Sequence, residues 1–139
     1  MGLDTSHDCW HGAYSAFSRW RNALATAAGY ELERVVYNGV PYDQPKRINW
    51  EALTDANFQG EWERTPEDPL VVLFAHSDCD GAIHPREAKV LADRLEELLP
   101  KLEALGEGGG HIGNYRDKTQ TFIDGLRLAV ASDESVRFH

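Results

Sequence analysis

The stretch Leu70-Val71-Val72-Leu73-Phe74-Ala75 is the longest uninterrupted apolar run in the chain. It is rich in β-favouring residues and is preceded by Pro66 and Pro69. Apolar on every side and bounded by turn formers, it predicts a buried central strand. A polar turn follows from His76 to His84, and Pro85 then stands where a first helical residue belongs. Val90, Leu91, Leu95, Leu98 and Leu102 continue at helical spacing, predicting a helix from Pro85 to about Leu105 that Pro100 ends or kinks near Leu99.

Upstream, Trp10, Ala13, Tyr14, Phe17, Trp20 and Leu24 recur every three or four residues, the period of one helix face. They predict a helix from Ser6 to about Ala28, with Asp4, Thr5 or Ser6 as N-cap and Gly29 as its stop. Downstream, Phe122, Ile123, Leu126 and Ala129 or Val130 predict a third helix over Tyr115 to Ser132. Gly125 inside it costs about 1 kcal/mol relative to Ala unless close packing recovers the loss. Val136 to His139 reads as a short strand beside Leu70 to Ala75. Residues 30–69 hold four of the six prolines and one strand-like stretch, Arg34 to Tyr37. They read as an irregular insert that Trp50 and Trp62 fold over the core, with a short helix starting at Asn49 or Trp50. The expected fold is α+β, a single domain over 1–139, with three main helices packed on a small β-sheet that contains Leu70 to Ala75.

The chain has 139 residues, 42% hydrophobic and 27% charged, the composition of an ordinary folded domain. Six apolar residues in a row fall far short of the roughly 20 that a membrane helix needs. No basic and then apolar leader opens the chain, so a cytoplasmic location is expected, with no membrane partner. Fourteen basic against 23 acidic residues give a net charge of −9, which repels a phosphate backbone and disfavours non-specific nucleic-acid binding. Cys9 and Cys79 are expected as free thiols or metal ligands, not as a disulfide.

Chemistry concentrates in two short segments that hold four of the six histidines and both cysteines. His76-Ser77-Asp78-Cys79-Asp80-Gly81-Ala82-Ile83-His84-Pro85-Arg86-Glu87 resembles a calcium loop of EF-hand type. Asp78, Asp80, Gly81, Ile83 and Glu87 fall at loop positions 3, 5, 6, 8 and 12. Imidazoles at His76 and His84 replace hard oxygens at positions 1 and 9 and suit a transition metal better. His76, Asp78, Asp80 and Glu87 are thus candidate ligands for a divalent metal, calcium or zinc. A polar turn leading into a helix accounts for the same residues. His7-Asp8-Cys9-Trp10-His11 places two imidazoles four residues apart, on one face of the expected first helix. Joined by Cys9, Cys79 or His76, they would make a tetrahedral zinc site; a cap and core role is the alternative.

Gly106 to Gly113 contains five glycines in eight residues and leads through Asn114 and Tyr115 to Arg116. Its amides, a helix N-terminus and Arg116 would cradle an anion, although a flexible interhelical linker is the better-supported reading of the same glycines. Arg19, Arg21 and Lys118 read as solvated charges.

The opening Gly2-Leu3-Asp4-Thr5-Ser6-His7-Asp8-Cys9-Trp10-His11-Gly12-Ala13-Tyr14-Ser15-Ala16-Phe17, the block His76 to Gly81, and Thr121-Phe122-Ile123-Asp124-Gly125-Leu126 together resemble a group of small proteins from bacteria and their phages. That resemblance carries over no catalytic or binding residue. It implies a phage or mobile-element setting, in which small acidic proteins bind a host protein or sequester a nucleotide signal.

These readings converge on a binding module for a small polar or anionic ligand, with or without a divalent metal, acting as monomer or homodimer. His7, His11, His111 and Arg116 are the expected ligand-binding residues, beside the metal candidates His76, Asp78, Asp80 and Glu87. A metal-dependent hydrolase with Asp78 or Asp80 as general base uses the same groups. An acidic protein that inhibits a partner through its surface needs none of them.

Overall fold

The computed structural model describes residues 2–46, 67–77, 80–109 and 113–139. Its architecture is α+β: helices bury the core, and short antiparallel two-stranded pairs fasten their ends. Buried residues from Leu3 to Phe138 form one contiguous hydrophobic cluster.

The helices with the clearest apolar period form as expected. Helix α1 spans Tyr14–Ala27 and buries Phe17, Trp20 and Leu24 on one side. Helix α3 spans Pro85–Leu105, starts with proline in its first turn and buries Leu91, Leu95, Leu98 and Leu102. It continues through Pro100, where an end or kink was expected. Helix α4 spans Tyr115–Ala131, opened by the Asn114 side chain accepting a hydrogen bond from the Asp117 amide. Arg127, near the end of α4, reaches Asp93 and Glu96 near the middle of α3 and links the two helices.

Leu70 to Ala75 is not a strand. Leu70–Phe74 is a short helix, α2, with Leu70, Val72, Leu73 and Phe74 buried. Its ends explain the difference. The Asp68 carboxylate accepts from the Leu70 amide at 3.0 Å, and Pro69 holds φ at −58°, so a turn is set before the apolar run begins. At the other end Nη1 of Arg21 lies 3.2 Å from the Leu73 carbonyl, 3.4 Å from that of Phe74 and 2.8 Å from that of His76. Five residues are too few to stand as a helix alone. Capping at both ends and burial among the other helices hold this one.

The first helix also starts later than its periodicity suggests. Strand β1 (Gly2–Asp4) pairs antiparallel with β2 (His11–Ala13), Leu3 opposite Gly12 and Asp4 opposite His11. Between them Ser6–Asp8 makes a 3-10 turn in which His7 and Asp8 take φ of 59° and 55°, values that end any right-handed helix. The Thr5 hydroxyl accepts from the Trp10 amide at 2.9 Å and closes this loop. Leu3 and Trp10 therefore reach the core from a hairpin.

Strands β3 (Leu32–Tyr37) and β4 (Val40–Pro45) form a second hairpin inside the stretch read as irregular. Asn38 and Gly39, with φ of 50° and 77°, turn it in the sense that matches strand twist. Strand β5 (Ala82–Ile83) pairs with the C-terminal β8 (Val136–Arg137), so the last strand lies beside 82–83 instead of Leu70 to Ala75. Reciprocal backbone bonds between Asp4 and His139 join it to β1. Strands β6 (Glu107–Gly109) and β7 (Gly113–Asn114) pair between α3 and α4. Trp50, Trp62 and the expected helix near Asn49 lie outside the described residues. Among the described residues no helix is long and apolar enough to cross a membrane.

Candidate functional site

The described residues singled out in the sequence fall on several elements. His7 and His11 do not share a helix face, because residues 7–11 are turn and strand. Nδ1 of His7 meets the Ser6 hydroxyl at 2.8 Å and its Nε2 meets Glu134 at 3.3 Å, whereas the exposed ring of His11 bonds to the carboxylate of Asp4 across the hairpin. Arg116 lies in the first turn of α4, 3.5 Å from Asp117. The glycine-rich segment is partly paired as β6 and β7, with Gly106 and Gly113 in left-handed conformation.

In the His76 to Glu87 segment, Asp80 is exposed and accepts from the Gly81 amide at 2.8 Å. Glu87 is fully buried; its Oε1 accepts from Arg86 at 2.8 Å, and its Oε2 has no partner among the described residues. Asp78, Cys79 and His111 lie outside the described residues. Among the described residues no three His, Cys, Asp or Glu side chains group so as to hold a metal ion. Burial pushes the Cys9 thiol up to about 12, which keeps it protonated and a poor ligand.

His76 is different. It is 3% exposed and its ring lies against Phe138, centroids 3.9 Å apart. Nδ1 is 2.7 Å from the Ser77 carbonyl, which only accepts, so Nδ1 of the neutral ring carries the proton; among the described residues the buried Nε2 makes no hydrogen bond of ordinary geometry. Burial holds the imidazole below its ordinary value of 6.5, outweighing the opposing pull of the Ser77 and Ala82 backbone. The folded state thus keeps this ring neutral, whereas the unfolded chain takes up a proton near pH 6.5. Below that pH the unfolded state binds more protons, so the stabilisation present at neutral pH is lost as pH falls toward the depressed folded value. Urea midpoints measured from pH 7.5 to pH 5 are expected to fall, by up to about 1.4 kcal/mol per pH unit from one proton. His76→Gln should flatten that slope; an unchanged slope would sink the assignment.

His76 also lines a cleft of about 690 Å³ that no motif announced. One wall is the face of α1 that carries Ser18, Arg21 and Asn22 at helical spacing. The second is Tyr42 to Pro45 of β4, and the third is Phe74 to Ser77 at the end of α2. Nδ2 of Asn22 donates to the Asp43 carbonyl at 3.1 Å and ties β4 to α1. Arg21, read from sequence as a solvated charge, is half-buried, with its guanidinium 4.6 Å from the Phe17 ring centre. Lys118 is likewise no free surface charge. Its ammonium lies 4.2 Å from the Trp10 ring centre and donates to the His11 carbonyl at 3.3 Å, and burial lowers its pKa. Of the expected site residues within the described structure, only His76 reaches the cleft.

No family model, no curated protein and no solved structure matches this chain. The functional reading therefore stands on the cleft.

Proposed function

We propose that this protein binds a small molecule in the cleft between α1, β4 and the end of α2. The observation that carries this reading is the cleft itself. At about 690 Å³ it has the size of a small-molecule site. Rings from Tyr42, Pro45 and Phe74 lie among a few hydroxyl and amide groups, the usual mixture of apolar contact and orienting polarity. This reading puts the binding site on the face of α1 that carries Ser18, Arg21 and Asn22, with His76 the residue it shares with the histidine segments.

The test is a thermal-shift screen of a fragment library on wild type and on Ser18→Trp, which puts an indole into the cleft from a half-exposed position. A fragment present at ten times its dissociation constant adds about 1.4 kcal/mol, or roughly 5 °C for a chain of this size. Hits that raise the wild-type midpoint and leave Ser18→Trp unmoved support the reading. A screen in which no fragment distinguishes the two proteins overturns it.

A further inference from the structure

We infer that the ligand of this cleft is uncharged and flat, a neutral aromatic or heteroaromatic ring with hydrogen-bonding groups on its edge. This rests on the cleft reading above and narrows it. Among the described lining residues only Arg21 and Asp43 carry formal charge, and both are engaged by the protein itself. Nη1 of Arg21 faces three backbone carbonyls at 2.8 to 3.4 Å, where the C-terminal end of α2 supplies negative potential. Asp43 Oδ1 accepts from Nε of Arg34 at 2.7 Å. A cation would meet the like charge of Arg21 and a carboxylate already paired with Arg34, and an anion would have to compete with three carbonyls for Arg21 and enter against a net charge of −9.

The groups left to meet a ligand are neutral. The hydroxyls of Ser18 and Tyr42 bond to none of the described residues, and Asn22, having spent Nδ2 on Asp43, keeps Oδ1 as an acceptor. Ser18 and Asn22 lie one helical turn apart, so their oxygens form a short polar edge along α1. Around that edge stand the rings of Tyr42, Pro45 and Phe74. Two of these side chains, Tyr42 and Phe74, are aromatic, and an aromatic occupant packs favourably on such groups while its polar edge meets Ser18 and Asn22. Neither Arg116 nor the described part of the glycine-rich segment, the expected anion cradle, lines this cleft.

The experiment uses probes alike in shape and different in charge: benzamide, benzoate and benzamidine, with their three naphthalene counterparts. Dissociation constants are read by ligand-observed NMR against wild type, Ser18→Ala and Ser18→Trp. The neutral amides are expected to bind at least about tenfold more tightly than the anions and cations, to weaken several-fold in Ser18→Ala, and to be lost in Ser18→Trp. If a carboxylate or an amidine binds as tightly as the amide and is lost in Ser18→Trp, the charge inference falls while the cleft reading stands. If none of the six binds, the flat-ring inference falls. The cleft reading falls separately, when the fragment library also fails to distinguish wild type from Ser18→Trp.

Discussion

Gly125→Ala is expected to destabilise the protein by at least about 2 kcal/mol, although the same change in an exposed helix would stabilise it by about 1 kcal/mol. A Cβ at this position of α4 would stand 2.4 Å from Sγ of Cys9, 2.7 Å from the His7 carbonyl oxygen and 3.1 Å from Cα of Cys9. Two of these three atoms are backbone, in a turn held by the Thr5–Trp10 bonds and by left-handed His7 and Asp8. The turn cannot yield by changing a rotamer. Overpacking of this kind typically costs about 1–3 kcal/mol and more where the neighbour is main chain. Cys9→Ala combined with Gly125→Ala separates the two contacts: removing the sulfur relieves one clash and leaves the carbonyl, so only part of the loss should return. Urea denaturation of the four proteins in that cycle gives the coupling. A Gly125→Ala midpoint equal to or above wild type would show that the loop does not rest on this helix as closely as the structure has it.

The same glycine shows what could be read in advance and what could not. Its cost inside a helical pattern was visible in the sequence, and so was the escape through close packing; the identity of the packing partner, more than a hundred residues upstream, was not. Helices α3 and α4 were legible because polar residues between the leucines and phenylalanines leave one face apolar, and because Pro85 marks a start. Leu70 to Ala75 gives a false strand signal because a run that is apolar all round has no period. What decides it is Asp68-Pro69 before it and Arg21 from another helix after it. The first helix was drawn too long for a related reason. Trp10 keeps the helical spacing, but it reaches the core from a hairpin, and nothing in its spacing reports the positive φ of His7 and Asp8. The α+β class survived these errors since the short pairs fastening the helices still form. The cleft left only a faint trace, Ser18, Arg21 and Asn22 on the face of α1 beside the aromatic stripe. Its other walls come from β4 and from the end of α2, segments whose meeting depends on tertiary contacts.

Trp20→Ala is expected to cost about 3–5 kcal/mol, the largest effect of any single truncation in this core. Trp20 is fully buried, with ring centroids 5.1 Å from Trp10, 5.7 Å from Phe17 and 4.8 Å from Phe122, so it joins α1, the N-terminal loop and α4. Its indole N–H donates to the Thr119 hydroxyl at 2.9 Å, and that hydroxyl donates onward to the Tyr115 carbonyl at 2.8 Å. The polar atom of the side chain is thus satisfied inside the core, and no water is needed. Trp20→Phe keeps most of the apolar volume and gives up the N–H, leaving Thr119 its outgoing bond; about 1–2 kcal/mol should be lost. Paired with Thr119→Val in a double-mutant cycle, it should show a coupling of about 1 kcal/mol. A Trp20→Ala protein within about 1 kcal/mol of wild type would show that these contacts do not hold α1 in place. The consequence reaches the cleft, because Trp20 points to the core from the helix whose adjoining face presents Ser18, Arg21 and Asn22. Loss of the indole lets α1 shift against α4 while its outer face stays tied to β4 through Asn22. Trp20→Ala should therefore weaken fragment binding at a temperature where the chain is still folded, although the substituted residue touches no ligand.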